Sequence, residues 1–257
     1  MRQSVGNGEL WWGDCLELMA DIPDGSVDMI LCDLPYGTTQ NKWDAIIPFE
    51  PLWAHYWRVA KPNAAIVLTA AQPFTTMLIF SQMFRFKYCW VWRKSRPSGF
   101  AQARNMPLKD YEDICVFSTG VTVHASQSTR RMPYHPQGLV KFETPKLYEK
   151  KSYSDSAFAK RPSHRAYEQN EGNFPRQVID IPSEGATVHP TQKPVALFEY
   201  LIRTYTNPGE LVLDNCSGSG TTAVAAQQAD RRFICIEQDV DYYLKSVERV
   251  AATLPAA

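Results

Sequence analysis

Two stretches of this chain carry residue types that could do chemistry together. The first is Asp33-Leu34-Pro35-Tyr36, which follows the apolar run 27–32. That run is short, aliphatic and β-branched, and Pro23-Asp24-Gly25-Ser26 introduces it, so it reads as a strand. A carboxylate, a rigid proline and an aromatic ring thus arrive together at a strand's carboxyl end, where open α/β sheets collect ligands. Taken alone, the stretch has a plain alternative, in which Asp33 caps a turn, Pro35 stops the strand and Tyr36 is core. The second stretch is Gly218-x-Gly220-x-x-Ala223, set between the strand 211–213 and an alanine-rich helix. Its glycines let the backbone turn sharply, and the helix start offers free N–H groups to a negative group. Glu237 follows about 20 positions on, at the tip of the next strand, where it can accept from both hydroxyls of a ribose. The alternative is a plain glycine-rich turn; the flanking β–α–β pattern favours a nucleoside cofactor.

The elements that must position these residues follow from periodicity. Strands are expected at 10–12, 27–32, 64–69, 86–92, 114–117, 211–213 and 233–236. Helices are expected at 15–19 with Asp14 as N-cap, at 49–60 and at 73–83. Another runs from Val195 with Phe198, Ile202 and Tyr205 on its inner face, and the last has the stripe Val240, Tyr243, Leu244, Val247 and Val250. Strand–helix alternation predicts a mostly parallel sheet. A polar loop, not a helix, joins 86–92 to 114–117, so one of them is expected to run antiparallel at an edge. Residues 37–47 read as loop. From Ser118 to about Val188 strand-length apolar runs vanish, which marks a functional loop or a small inserted subdomain. A dinucleotide loop of a nicotinamide oxidoreductase would begin its domain. Here one strand and two helices follow Gly220, so the cofactor half comes last and the order is permuted.

Composition narrows the class. The 257 residues are 44% hydrophobic and 21% charged, ordinary for a globular domain with a sizeable core. Lys and Arg (27) balance Asp and Glu (27), so nucleic-acid binding must rest on local charge. The six cysteines form no C-x-x-C pair and read as reduced, buried, small hydrophobes rather than a zinc site or disulfide frame. With no apolar leader and no long apolar run, the expectation is a cytoplasmic protein with no membrane span and no metal.

At this point the motifs resemble the β class of amino-DNA methyltransferases, which methylate exocyclic amines of adenine or cytosine with S-adenosylmethionine. Gly13-Asp14-Cys15, Asp33-Leu34-Pro35-Tyr36-Gly37, Glu112 to Phe117, His189 to Pro194 and Ser217 to Thr222 look like the family's signatures in the family's order. The resemblance covers about 1–118 and 187–250. It implies a Rossmann-like, circularly permuted α/β fold with a seven-stranded, mostly parallel sheet containing one antiparallel strand. Residues 1–118 would form the catalytic half, 119–187 the target-recognition region and 188–257 the cofactor half. The strand 9–12 would lie beside 232–236, bringing Asp14 to the cofactor adenine. Leu34 stands where the family has its first proline, and Asn215-Cys216 where Pro-Phe is common.

The resemblance implies direct methyl transfer to adenine N6 in a flipped-out base of double-stranded DNA, with no covalent enzyme intermediate. Asp33 and the Leu34 carbonyl would accept the two amine N–H bonds, Pro35 would stiffen the turn and Tyr36 would face the base. Cofactor contacts would come from Asp14, Cys15, Asp33, His189, Thr191, Lys193, Asp214, Asn215, Ser217, Gly218, Ser219, Gly220, Thr221, Thr222, Glu237 and Gln238. DNA contacts are expected from Lys94, Arg96, Arg104, Lys109, Arg130, Arg131, Lys150 and Lys151, because phosphate binding needs basic surface. Alternatives are a cytosine-N4 enzyme, a non-catalytic S-adenosylmethionine- or DNA-binding protein, and an RNA or protein-glutamine methyltransferase. Homodimers are common in the family, and a partner restriction enzyme is compatible with the resemblance.

Overall fold

Strict alternation of buried side chains organises the main sheet. In the computed structural model, which describes residues 1–37, 44–123, 128–148, 167–184 and 192–254, β3 (Val27–Asp33) is buried along its length until Asp33. Met29 and Leu31 join one core, while Ile30 and Cys32 join the other. A strand reads this way only when both faces of its sheet are covered. The remaining strands of that sheet are β1 (Arg2–Val5), β2 (Gly8–Trp12), β4 (Ala60–Ala70), β5 (Phe86–Ser98), β6 (Lys109–Phe117), β9 (Val178–Asp180), β10 (Leu211–Asp214) and β11 (Arg232–Glu237). Their order is β1-β2-β11-β10-β3-β4-β6-β5-β9.

All seven expected strands lie in this sheet, and β1 and β9 extend it at the edges. The strand at 9–12 does run parallel beside β11, pairing Leu10 with Cys235. Among the seven, β6 alone is antiparallel to its neighbours, β4 and β5. It is not at an edge. The chain passes outward to β5 and returns through a hairpin to fill the place next to β4. Hairpin connections give antiparallel pairs wherever the returning strand lies.

Helices α1 (Cys15–Leu18), α2 (Phe49–Val59) and α3 (Phe74–Ser81) cover one face, and α4 (Val195–Tyr205), α5 (Thr221–Gln228) and α6 (Val240–Ala251) the other. Asp14 caps α1, its Oδ1 accepting from Leu16 N at 2.8 Å. Two helix faces differ from expectation. Val195 is only partly buried, while Leu197 and Leu201 go in with Phe198 and Ile202. In α6, Val240 and Leu244 are exposed, and the small Ser246 takes the inner position, because α6 passes close over Gly220, where a Cβ would stand 2.9 Å from Ser246 Cβ. Three cysteines, Cys32, Cys115 and Cys235, are buried as expected, but Cys15, Cys89 and Cys216 are only partly buried; all six are free thiols.

The chain divides into two compact units, residues 1–135 with 177–257 and the unit 136–176. The smaller unit is narrower than the expected 119–187. Met132 and Ile179 belong to the first unit's core, and β9 pairs with β5. Within the smaller unit, β7 (Val140–Tyr148) pairs antiparallel with β8 (Tyr167–Gly172), and Tyr148 stacks on Tyr167. These strands left no apolar signature because β7 exposes every residue but Phe142, and β8 buries only Gly172. Among the described residues, no helix is long and apolar enough to cross a membrane.

Tyr205 is fully buried, and its hydroxyl accepts from Trp90 Nε1 at 2.7 Å and meets Tyr88 Oη at 2.9 Å. Tyr205→Phe strands the buried indole N–H. It should lower stability by about 1–3 kcal/mol, seen as a lower urea midpoint with unchanged slope; an unchanged midpoint would show that the bond contributes nothing.

Candidate active site

Five polar side chains mark the carboxyl edge of the sheet, one from each of five neighbouring strands. They are Glu237 on β11, Asp214 on β10, Asp33 on β3, Thr69 on β4 and Glu112 on β6. Register brings Asp33 opposite Thr69 and Asp214 opposite Cys235. From β3 the chain moves outward to β4, and from β10 it moves the other way to β11. The site therefore sits where the winding reverses, the place a parallel sheet opens a crevice.

That crevice is a cavity of about 370 Å³. Its wall includes Asp14, Cys15, Asp33, Leu34, Pro35, Tyr36, Lys193, Asp214, Asn215, Ser217, Gly218, Ser219, Thr221, Glu237 and Gln238, so the two chemical stretches share one space. Gly220 and Thr222, expected at the cofactor, are not on the wall. Gly220 takes a left-handed φ of 79° beneath α6, and Thr222 is fully buried and donates to Asp214 Oδ2. They shape the loop from behind. His189, Thr191, Lys150 and Lys151 lie outside the described residues.

The Asp33 carboxylate is held at both oxygens. Thr69 Oγ1 donates to Oδ1, and Tyr36 Oη lies 2.9 Å from the same oxygen. Tyr36 Oη also stands 3.0 Å from Thr69 Oγ1 and 3.4 Å from Glu112 Oε2, and its single proton serves one of these at a time. Lys193 Nζ donates to Asp33 Oδ2 at 2.6 Å and lies 3.2 Å from Glu112 Oε2. Lys94 Nζ completes the chain, 2.6 Å from Glu112 Oε1.

This cluster is mostly out of water, with side-chain exposures of 5% for Lys193, 12% for Glu112 and 16% for Lys94. Burial works against the charge of Lys193, but Asp33 and Glu112 outweigh it and raise its pKa. Burial likewise pushes Glu112 up, and Lys193 and Lys94 outweigh that and hold it low. Burial, with Asp33 and Glu112 beside it, raises the Tyr36 hydroxyl well above the ordinary tyrosine range, so it remains a donor. The Tyr36 ring stacks on Phe74, with centroids 5.3 Å apart.

At the other end of the cavity, Glu237 Oε2 accepts from Gly218 N and Oε1 from Asp239 N, each at 2.8 Å. Burial raises its pKa above the ordinary glutamate value. Asp214, fully enclosed, is pushed up to about 6 by burial, despite donors from Thr222 and Cys216 N. Ser217 Oγ is buried on this wall with no protein partner. Asn215 is itself buried and accepts from Tyr56 Oη at 2.5 Å, which ties the loop to α2.

Basic residues expected at DNA fall into three places. Lys94 is inside the charge cluster and is not a surface cation, because Glu112 faces it across the β5–β6 pair. Arg96, Arg104 and Lys109 are exposed on the β5–β6 arm, which runs beyond the carboxyl end of β4 on the site's side. Arg130 and Arg131 pair with Val121, near Asn63 at the opposite end of β4. Six residues of strand separate Asn63 from Thr69, roughly 20 Å.

Sequence patterns assign Thr69 and Glu112 no role, although Thr69 ends an apolar run and Glu112 stands two residues before one, both at the same sheet edge as Asp33. That position was the available signal. Among the described residues, no group of three or more His, Cys, Asp or Glu side chains is arranged to hold a metal ion.

Comparison with known proteins explains why these features occur together. A family model described as DNA methylase, of the N6/N4 type, matches residues 27–248. The chain is 25% identical over 274 residues to the type II methyltransferase M2.MboI of Moraxella bovis, covering 97% of this chain and 89% of that protein. It is 28% identical over 256 residues to the DNA adenine methyltransferase YhdJ of Escherichia coli, covering 93% and 81%. Among solved structures, the cytosine-N4-specific PvuII DNA methyltransferase superposes with a TM-score of 0.66 at 15% identity, covering 97% of this chain and 92% of that one. The M1.HpyAVI–SAM complex gives 0.60 at 21% identity, covering 94% and 99%. The family match begins at the strand that ends in Asp33 and runs past the glycine loop, and the chain belongs to the N6/N4 family of DNA methylases.

Proposed function

We propose that the protein transfers a methyl group from S-adenosylmethionine to the exocyclic N6 of adenine in duplex DNA, at a base swung out of the helix. The observation that carries this reading is the Asp33 carboxylate, gripped by Thr69, Tyr36 and Lys193 on the wall of the cavity that also contains the glycine loop.

The cavity fits the cofactor. Its volume is in the range of small-molecule sites. At Gly218 nothing stands within 4 Å of where a Cβ would be, and Ser217 Oγ is a buried donor awaiting an acceptor. When bound, S-adenosylmethionine supplies an electrophilic methyl group on a sulfonium. Glu237 would hold the ribose hydroxyls, Asp14 the adenine amine, and Ser217 and Gly218 the methionine portion.

The target amine is a poor nucleophile because its lone pair is delocalised into the ring. Two acceptors, Asp33 and the Leu34 carbonyl, draw on its two N–H bonds and make the nitrogen more tetrahedral, with the lone pair aimed at the methyl. Leucine keeps the carbonyl that the family's proline supplies. Pro35 limits the turn, so the acceptors are in place beforehand. Tyr36, backed by Phe74 and with Lys193 Nζ 5.6 Å from its ring centroid, would pack against the base, whose extrusion costs a few kcal/mol. Transfer would be a direct displacement: the nitrogen–methyl bond forms as the sulfonium carbon–sulfur bond breaks, S-adenosylhomocysteine leaves as a neutral thioether, the surplus amine proton passes by way of Asp33 to solvent, and none of the cysteines is used. Arg96, Arg104 and Lys109 would meet phosphates near the site, and the unit 136–176, with Lys141, Lys146 and the Tyr148–Tyr167 stack, would contribute to target recognition.

Aspartate at position 33 and the likeness to an adenine methyltransferase favour adenine. The fold likeness to a cytosine-N4-specific enzyme supports cytosine N4 as the second reading.

Duplex DNA incubated with the protein and labelled S-adenosylmethionine should yield N6-methyladenine by nucleoside mass spectrometry. Label confined to cytosine would overturn the adenine assignment, and no transfer with the cofactor bound would favour a non-catalytic binding protein. Asp33→Ala should cut transfer by about a hundredfold to a thousandfold and leave cofactor affinity within about threefold; equal loss of both would contradict its role. Glu237→Gln should weaken cofactor binding about tenfold or more, as expected for hydrogen bonds to a charged group. Because burial raises the Glu237 pKa, cofactor affinity in the wild type should fall with decreasing pH at a value above 4.5. Calorimetric titration across pH checks this, and a flat profile in wild type would remove Glu237 from the ribose site.

A further inference from the structure

The methyltransferase reading gives Asp33 its task but leaves Glu112 and Lys94 without one. Neither lines the cavity. Both are nonetheless mostly buried, and burying ions is costly unless their charges are matched. The geometry here is an unbranched chain of alternating charge, Asp33–Lys193–Glu112–Lys94, with contacts of 2.6, 3.2 and 2.6 Å. It contains two acids and two bases, so it is neutral as a whole. Three separate parts of the sequence supply it: the end of β3, the turn before α4, and the β5–β6 pair.

The chain bears on a problem in the proposed chemistry. Asp33 Oδ2 is the oxygen not used by Thr69 and Tyr36, and Lys193 occupies it at 2.6 Å. A target amine can use that oxygen only if the ammonium shares it or gives it up. Glu112 offers Lys193 a second carboxylate oxygen 3.2 Å away, so the ammonium can lean from one acid to the other without becoming unpaired. Lys94, on the far oxygen of Glu112, sets how strongly Glu112 competes for Lys193.

Resting on the methyltransferase reading, we propose that Glu112 and Lys94 are positioning residues that act through Lys193 to set how available and how basic the Asp33 carboxylate is toward the target amine. Lys94 then belongs to the chemistry and not to the DNA backbone. Other ionisable groups also face this cluster. Tyr36 and Cys32 lie beside Asp33 on its own segment, and Asp214 acts on it from β10. Asp44 shares the cavity wall, and Asp113 points away to Thr75. None of these is altered in the test below.

The proposal predicts opposite signs for two near-isosteric changes. Glu112→Gln removes a negative charge and leaves Lys193 wholly to Asp33. Ionised Asp33 is then over-stabilised, so the acid limb of kcat/KM against pH moves down and kcat falls by about tenfold or more, since a nearby charge moves a carboxylate by about one unit. Lys94→Gln removes a positive charge, so the acid limb moves up by roughly half a unit to one unit. Glu112→Asp keeps the charge and should recover most of the wild-type profile. Affinity for duplex DNA and its salt dependence should be unchanged in Lys94→Gln.

Two measurements keep failure of the proposal distinct from failure of the reading. Carbon-13 NMR titration of the Asp33 carboxyl in the whole protein needs no turnover. It should show the Asp33 pKa lowered in Glu112→Gln and raised in Lys94→Gln even if the wild type methylates no DNA. Shifts of the same sign in both variants, or none, overturn the proposal. So does a Lys94→Gln protein with an unmoved pH profile and a DNA-binding salt slope reduced by about one, the signature of a lost phosphate contact.

Discussion

The interaction on which this structure depends is the hold on the Asp33 carboxylate, which is fixed at both oxygens and largely removed from water. A carboxylate that accepts from an aromatic amine needs its charge. Enclosure makes that charge costly unless donors and counter-charges surround it. The protein meets the need with parts that are already rigid. Thr69 is on the neighbouring parallel strand, opposite Asp33 in register, and Tyr36 is three residues on, braced by Phe74. Lys193 reaches in from the turn before α4, and its backbone oxygen lies 3.4 Å from Thr221 Oγ1 in the cofactor half. The stretch that ends β3 and the stretch that carries the glycine loop are thereby joined through one lysine.

The sheet supplies the geometry that loops alone would not hold. Parallel strands bring their carboxyl ends to one edge, so residues more than two hundred positions apart in sequence become neighbours. Asp33, Asp214 and Glu237 differ in environment although all are acids at strand ends. Asp214 is enclosed and its pKa is raised to about 6, with donors from Thr222 and Cys216. It fits a role in shaping the loop from inside. Glu237 takes two backbone N–H groups and still faces the cavity. Asp33 alone carries a lysine. One chemical group, the carboxylate, thus occupies three different environments, separated by burial and partners.

Much of this was legible in the sequence. The β3 run ending at Asp33, the glycine loop and Glu237 carry strong local patterns that mark a crevice at the strands' carboxyl ends, and the place of β2 beside β11 followed from the family resemblance. Other features were not legible for physical reasons. β7 exposes every residue but Phe142, and in β8 the one buried residue is a glycine, so no hydrophobic period marks either strand. The interior place of β6 depends on a hairpin returning inward, which periodicity does not encode. Lys94 looked like a surface cation because nothing local shows that its β5 position faces Glu112 on β6. Glu112 and Thr69 act through tertiary contacts, and a single polar residue beside an apolar run carries no information about its partner.

The proposed transfer requires one carboxylate and one backbone carbonyl at the end of β3 to grip the exocyclic amine of an extruded adenine. A crystal structure of the protein with duplex DNA and a non-transferable S-adenosylmethionine analogue tests it most directly. An adenine is expected outside the helix, its N6 within about 3.2 Å of both Asp33 Oδ2 and the Leu34 oxygen, with Lys193 turned toward Glu112. An amine that meets neither acceptor, or a target base left stacked in the duplex beside a bound cofactor, would contradict it.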